Sequence, residues 1–287
     1  MDIQLSIMLA FAAMLAWGIG DFLIQKATRK IGDVETLAVI GIVGIVAFFP
    51  FVIKDLPLLL NFDNIFWLVV LGIVTFAAGI LNFEALKLGK LSIVDVVLEL
   101  ELPVTIWMGV VFLGESLTFF QYGVISLIFV GMVLIGTRSF EHFKAKMEKG
   151  VWIALIASFF MGTVNFLTAT NAKNVSPMMA IWVPWVVFTV ICLCVIAQRG
   201  GIGKLTGHFR EYTWLLLWVG LVDTLAWIFY AFSVVDYEVA IITAITESYP
   251  AIALMLGVWL NKEMIRPHQW LGAGLALAAS IILSFTV

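Results

Sequence analysis

The stretch LSIVDVVLELELPVTIWMGVVFLGE, residues Leu91–Glu115, combines membrane-spanning length with acidic side chains. About 20 apolar residues, at a rise of ~1.5 Å each, cover the ~30 Å hydrocarbon core of a bilayer. Asp95, Glu99 and Glu101 nevertheless interrupt this stretch just before Pro103. A carboxylate at bilayer depth costs roughly 2.5 kcal/mol or more, so it normally faces a cavity or a partner. The stretch therefore predicts a spanning helix that carries part of a functional site.

The composition of the whole chain also indicates a membrane protein. Of its 287 residues, 63% are hydrophobic and only 12% are charged, which excludes an ordinary soluble globule. The apolar runs are about twice as long as the ~10-residue strands of a membrane β-barrel, so they predict helices. The net charge of −3 and the lack of a basic patch give no indication of a nucleic-acid partner.

The apolar runs predict an all-α polytopic membrane protein with ten transmembrane helices. The predicted spans are residues 5–25, 35–53, 65–86, 92–113, 119–137, 151–171, 178–197, 213–235, 239–260 and 268–286. The longest polar connection, residues 138–150, separates a first five-helix repeat, residues 1–137, from a second, residues 151–287.

The two halves carry similar marks in the same order. The stretch VAIITAITESYPAIALMLGVWLNKE, residues Val239–Glu263, is a second version of the opening one. An offset of 144 residues aligns Gly18 with Gly162, and an offset of 147 aligns Pro103 with Pro250. Because each half has five helices, the second copy enters the membrane from the opposite side and forms an inverted repeat, as in many secondary transporters. We therefore expect a binding site near the membrane midplane between the halves.

Three blocks of sequence resemble a known family. They are WGIGDFLIQKA (Trp17–Ala27), FLGESLTFFQYG (Phe112–Gly123) after Pro103, and WLNKEMIRPHQWLG (Trp259–Gly272) after Pro250. Over nearly its whole length the chain is similar to the EamA type of the drug/metabolite transporter superfamily. The resemblance implies two inverted five-helix repeats and carrier-type movement of small metabolites through a central cavity, often as export, without an organic cofactor. It implies no particular substrate.

Positive charge is concentrated on one side of the predicted membrane. The connections after helices one, three, five, seven and nine hold 14 of the 16 Lys and Arg residues, and only Lys54 and Lys173 lie on the other side. Cytoplasmic loops are enriched in these residues, so we expect both termini to be non-cytoplasmic. Many relatives in the family have cytoplasmic termini, and the charge count predicts the reverse here.

Seven carboxylates fall inside the predicted spans, and their depth separates them. Glu84 and Asp95 lie near the membrane edge, where a solvated structural role is expected. The other five are candidates for binding a substrate or a coupling ion, namely Asp21, Glu99, Glu101, Asp223 and Glu247. The alternative for each is a neutral side chain that hydrogen-bonds between helices.

Helical geometry ranks these five acids. Residues two apart on a regular helix point ~200° away from each other, so Glu99 and Glu101 should not share one cavity unless Pro103 distorts the preceding turn. Glu247 stands near mid-span, three residues before Pro250 and within a polar run. It is the leading candidate.

Several aromatic residues lie at a depth similar to that of these acids. Aromatic faces beside carboxylates hold cations, and this predicts a cation-binding role. The residues are Tyr249, Tyr230, Trp227, Trp182 and Trp185. Packing in the core or against lipid is the alternative for each one.

Together these features predict a secondary active transporter that works by alternating access. The excess of acid over base predicts a small polar substrate that bears an amine or a positive charge, such as an amino acid or a related compound. Loss of water favours the protonated form of a carboxylic acid, so a proton is a candidate coupling ion. We expect residence in a prokaryotic inner or plasma membrane.

Other functional classes remain as alternatives. The sequence has no HExxH, no dinucleotide-binding GxGxxG and no P-loop, and we expect neither enzymatic activity nor a bound metal or cofactor. An intramembrane lipid-modifying enzyme or a lipid flippase would use the same acids on a lipid head group. A passive channel is the third alternative.

Overall fold

The computed structural model describes residues 3–88, 91–137, 149–262 and 264–286. Its helices are α1 (Ile3–Ile31), α2 (Asp33–Val52), α3 (Phe62–Leu88), α4 (Leu91–Leu98), α5 (Glu101–Leu113), α6 (Phe119–Gly136), α7 (Lys149–Asn174), α8 (Pro177–Gln198), α9 (Ile202–Glu211), α10 (Thr213–Ser233), α11 (Val239–Thr246), α12 (Pro250–Asn261) and α13 (Pro267–Ser284). A short 3₁₀ turn, Leu56–Leu60, lies between α2 and α3. The predicted connection at residues 138–150 lies mostly outside the described residues.

Nine helical segments in the described part of the chain are long and apolar enough to cross a membrane. They coincide with the first nine predicted spans, and two of them, α4–α5 and α11–α12, are broken helices. The tenth predicted span coincides with α13, whose first turn contains the polar residues His268 and Gln269. The prediction of an all-α polytopic membrane fold is therefore confirmed.

Helices α6 and α13 run antiparallel and join the two halves. At one end, the Gln121 side-chain amide donates to the Thr286 carbonyl at 3.3 Å. At the other end, the His268 ring lies 2.7 Å from the Thr137 carbonyl oxygen. We call the side where α1 begins and α13 ends the terminal side, and the side where α6 ends and α7 begins the junction side.

Glycines allow this close approach. A Cβ atom on Gly131 in α6 would lie 2.7 Å from the Gly272 carbonyl oxygen in α13, and a Cβ on Gly272 would lie 2.6 Å from the Gly131 carbonyl oxygen. Membrane helices use such small residues to bring backbones together, because lipid gives them no hydrophobic driving force to associate. The two halves are thus in backbone contact along this seam.

We expect Gly131→Ala to lower thermal stability in detergent or nanodiscs. The new methyl group meets backbone atoms that are fixed, and overpacking of this kind costs about 1–3 kcal/mol. Gly123→Ala on the same helix is the matched control, because nothing lies within 4 Å of its Cβ position. A melting temperature that falls by the same amount in both variants would contradict the close contact at Gly131.

The breaks in the fourth and ninth spans have a common cause. A proline removes one backbone hydrogen bond and clashes with the carbonyl four residues earlier, which for Pro103 and Pro250 lies in the break or just before it. The helix bounds now fix the register of the repeat, because Leu91 to Leu113 corresponds to Val239 to Asn261 with an offset of 148 at both ends. The two prolines are 147 residues apart and therefore stand at different places relative to the helix ends. Pro103 is the third residue of α5, whereas Pro250 is the first of α12.

Candidate functional site

The two breaks place Glu247 and Glu101, one from each half, beside each other. Glu247 follows the last residue of α11 and is buried, and its Oε1 accepts a hydrogen bond from the Asn165 amide at 2.9 Å. The carboxyl group of Glu101, at the start of α5, lies within hydrogen-bonding range of Glu247. By the offset of 148, the repeat counterpart of Glu247 is Glu99.

This pair of carboxyl groups is suited to hold one proton. Two carboxylates in contact do not both stay ionised, because their charges repel. With both groups ionised, the buried Oε2 atom of Glu247 has no hydrogen-bond donor among the described residues. A proton shared between Glu101 and Glu247 supplies that donor.

Two further acids lie close enough to interact with this pair. Asp21 in α1 interacts electrostatically with Asp223 in α10, and its charge also acts on Glu101 and Glu247. Asp223 is buried, whereas the Asp21 side chain is exposed. No described Lys, Arg or His contributes to the electrostatics of these four acids.

The break in the fourth span also changes the expected geometry of Glu99 and Glu101. Both charges act on the Tyr249 side chain, and Glu99 also acts on Glu101. The two acids stand on either side of Leu100, where the helix is interrupted, so the ~200° separation of a regular helix does not apply. The side chain of Asp95 lies outside the described residues, and Glu84 is exposed.

An aromatic cluster lies beside the acids and is centred on Trp17. The Trp17 ring centroid is 5.0 Å from that of Trp227, 5.5 Å from Tyr230 and 6.1 Å from Tyr249. Trp17 is four residues before Asp21 on α1, so both side chains lie on one face of that helix. The cluster therefore presents aromatic rings and a carboxylate together.

Hydrogen bonds tie the cluster to the acid pair. The Tyr230 hydroxyl donates to the Asn165 carbonyl at 3.2 Å and lies 2.9 Å from the Thr243 hydroxyl. The Asn165 amide in turn binds Glu247. The buried Tyr230 thus fixes the helix that carries the partner of Glu247.

The structure brings most of the sequence-predicted residues together. They are Glu247, Glu101, Glu99, Asp21, Asp223, Tyr249, Tyr230 and Trp227. Trp185 lies at the edge, with its ring 5.9 Å from Trp227 and its Nε1 donating to Thr224. Trp182 lies elsewhere, because its Nε1 donates to the Ile45 carbonyl and its ring packs on Phe49.

Three neighbours of the acids were not among the predicted site residues. They are Trp17, Asn165 and Thr243. Trp17 lies four residues before Asp21, and this helical spacing could have identified Trp17 from the sequence. The offset of 144 that aligns Gly18 with Gly162 also aligns Asp21 with Asn165, so the repeat was a usable signal for Asn165. The place of Thr243 depends on how α11 packs against α10.

A model of the EamA-like transporter family matches residues 4–137 and again residues 148–285. The chain belongs to the EamA-like transporter family. The resemblance seen in the sequence is thus confirmed, and the protein is an integral, multi-pass membrane protein of a transporter family.

One curated protein and one solved structure are similar to this EamA-like chain. It is 23% identical over 184 residues to protein RarD of Streptomyces exfoliatus, a match that covers 63% of this chain and 55% of RarD. The matched region is therefore about half of the length of that relative. A protein of known crystal structure shares the fold with a TM-score of 0.77, at 14% identity, over 98% of this chain and 96% of the other.

In this EamA-like fold, Gly18 and Gly162 occupy matching positions in the two repeats. Each glycine allows its helix to pack closely against a broken helix. A Cβ on Gly162 in α7 would lie 2.8 Å from the Glu101 carbonyl oxygen. A Cβ on Gly18 in α1 would lie 3.1 Å from the Tyr249 carbonyl oxygen and 2.5 Å from Ile252. The first helix of each half thus packs closely on the broken helix of the other half.

The two sides of the site are not equivalent. On the terminal side, α11 packs against α5 and α6 of the first half. The repeat counterpart of α11 is α4, whose main neighbours are α7, α6 and α3. In the described part of the chain, α12 and α13 are not among the main neighbours of α4. The broken helices therefore meet chiefly on the terminal side.

Proposed function

We propose that this protein is a secondary active transporter for a small polar solute that bears an amine or a positive charge, such as an amino acid or a related compound. The observation that supports this proposal most strongly is the group of four acids without a described basic partner. Asp21, Asp223, Glu101 and Glu247 converge from both halves beside an aromatic cluster. An ammonium group supplies the missing positive charge, and the ring faces add cation–π attraction.

The coupling ion in this proposal is the proton. An ammonium group that binds at Glu101 and Glu247 favours their ionised forms, because opposite charge stabilises a carboxylate. The shared proton then leaves to water as the solute binds, and it returns when the solute leaves. Solute and proton therefore compete for one site, which links the movement of one to the movement of the other in the opposite direction.

Alternating access is supported by the unequal packing of the two sides. The contact of α11 with α5 closes the terminal side, while the described residues of α4 make no equivalent main contact with α12. This arrangement corresponds to a state that opens toward the junction side. Because 14 of 16 Lys and Arg residues lie on that side, we assign it to the cytoplasm of a bacterial cell and place both termini outside.

Uptake into proteoliposomes tests the solute class. We expect uptake of a labelled amine, such as an amino acid or a diamine, to be inhibited by other amines and not by amide or alcohol analogues of the same size. Inhibition by neutral analogues at equal concentration would overturn the cationic recognition. Uptake that an imposed pH gradient leaves unchanged would overturn the proton coupling. Thermal stabilisation by phospholipid alone, with none by amines, would favour the lipid flippase or lipid-modifying alternative.

Trp17→Leu should weaken the affinity for the amine. Loss of a buried cation–π contact of about 1–2 kcal/mol raises KM by roughly 5- to 30-fold. Trp182→Leu is the matched control, because Trp182 lies outside the cluster. Equal KM values for the two variants, measured by initial uptake rates, would show that Trp17 has only a packing role.

A further inference from the structure

A carboxylate of the first half caps a helix of the second half on the terminal side. The Glu115 carboxylate accepts hydrogen bonds from the backbone N–H groups of Val239 and Ala240, the second at 3.0 Å. These are the first two residues of α11. The first N–H groups of a helix have no partner within the helix, and its N-terminus carries partial positive charge. The Glu115 carboxylate of the first half therefore accepts hydrogen bonds from these N–H groups of the second half, and its negative charge complements the partial positive charge of the helix end.

The chain around Glu115 is built to hold this carboxylate in place. Gly114 ends α5 in a left-handed conformation with φ 70°, which turns the chain back toward the helix. The Glu115 N–H then donates to the Gly109 carbonyl at 3.3 Å. A Cβ on Gly109 would lie only 2.6 Å from Glu115 Oε2, so this glycine leaves the space that the carboxylate occupies.

The capped helix is short and leads directly to the acid pair. Helix α11 has eight residues, from Val239 to Thr246, and Glu247 follows. Helix α11 packs against α5, and α5 begins with Glu101. The position of the start of α11 relative to the first half therefore determines where Glu247 lies relative to Glu101.

We propose that Glu115 is a positioning residue of the transport cycle: its carboxylate holds α11 against the first half, which keeps the terminal side closed and Glu247 beside Glu101. This inference rests on the proposed transport function. For the site to open to the terminal side, the two hydrogen bonds from Val239 and Ala240 to Glu115 break. Weakening them shifts the equilibrium toward the terminal-open state.

Cysteine labelling tests this without a substrate. In a background with Cys192→Ser and Cys194→Ser, a reporter Ala240→Cys lies fully buried at the terminal end of α11. Ala180→Cys is the control reporter, since it is fully buried near the start of α8 on the same side. Each is treated with a membrane-impermeant maleimide in nanodiscs, and the labelling rate is measured.

We expect Glu115→Gln to raise the labelling rate of the Ala240→Cys reporter by roughly tenfold, the factor expected from losing a charged helix cap. Gly109→Ala should raise it as well, because the added methyl group displaces the carboxylate without removing it. Glu238→Gln is the matched control, since Glu238 adjoins the same helix end without a side-chain cap bond. The control reporter should label at an unchanged rate in all three variants.

Two outcomes would overturn the inference. The first is a labelling rate for Ala240→Cys that Glu115→Gln leaves unchanged. The second is an equal rise at both reporters, which indicates general loosening of the fold. Labelling needs no substrate, so a failure to transport amines would refute the proposed function and leave this test of the gate intact.

Discussion

Replacing Glu247 by Gln should abolish amine transport and leave the fold intact. The Gln carbonyl can accept the Asn165 hydrogen bond, and its amide can donate to Glu101, so every polar group remains paired. The variant loses the Glu247 charge that attracts the ammonium group, and it loses the pair of carboxyl groups that shares the exchangeable proton. Loss of a charged hydrogen bond of about 3 kcal/mol corresponds to a fall of roughly 100-fold in uptake.

The control for this variant is Glu84→Gln. Glu84 also lies in a spanning helix, α3, but its side chain is exposed and outside the acid group. Uptake of the labelled amine and the melting temperature are measured for both variants. Near wild-type uptake by Glu247→Gln would show that Glu247 is a neutral structural side chain, the alternative that the sequence left open.

Gly162→Val should disrupt both the stability and the activity of the protein. Its Cβ would lie 2.8 Å from the Glu101 carbonyl oxygen and 2.7 Å from the Val104 side chain. The backbone oxygen has no freedom to move without shifting the break that positions Glu101, and overpacking costs about 1–3 kcal/mol. We expect a lower melting temperature together with uptake reduced by more than tenfold.

Thr163→Val is the matched control for this steric argument. It introduces the same side chain one position further along α7, where the threonine hydroxyl bonds to the Phe159 carbonyl of its own helix. Melting temperature and amine uptake are compared for the two variants. If both variants behave alike, the tight contact between α7 and the break at Glu101 does not control the site.

The sequence was sufficient to predict the helices and most of the acid group. Long apolar runs can only be satisfied in a bilayer as helices, and a carboxylate within such a run needs a cavity or a partner. Both constraints apply to a residue whatever its neighbours in the fold are, so the sequence alone is enough to apply them. Asp21, Glu101, Asp223 and Glu247 were therefore recognisable before their contacts were known.

The pairing of Glu101 with Glu247 was not predictable in this way. It depends on where two helices break, and Pro103 and Pro250 stand at different places relative to their breaks. Counting from the prolines therefore gives an offset of 147, whereas the outer helix ends give 148. Trp182 shows a similar limit for aromatic residues, because depth along a helix does not specify the face on which a side chain lies. The Trp182 side chain bonds to the Ile45 carbonyl on α2, away from the acids.

Counterflow in proteoliposomes tests whether one site between the halves is exposed alternately to the two sides of the membrane. Vesicles are loaded with a high concentration of unlabelled amine and diluted into a trace of labelled amine, without a pH or voltage gradient. Alternating access predicts a transient accumulation of label inside above its external concentration, and Glu247→Gln should eliminate it. Simple equilibration of the label to equal concentrations, with no overshoot, would contradict alternating access and indicate a channel.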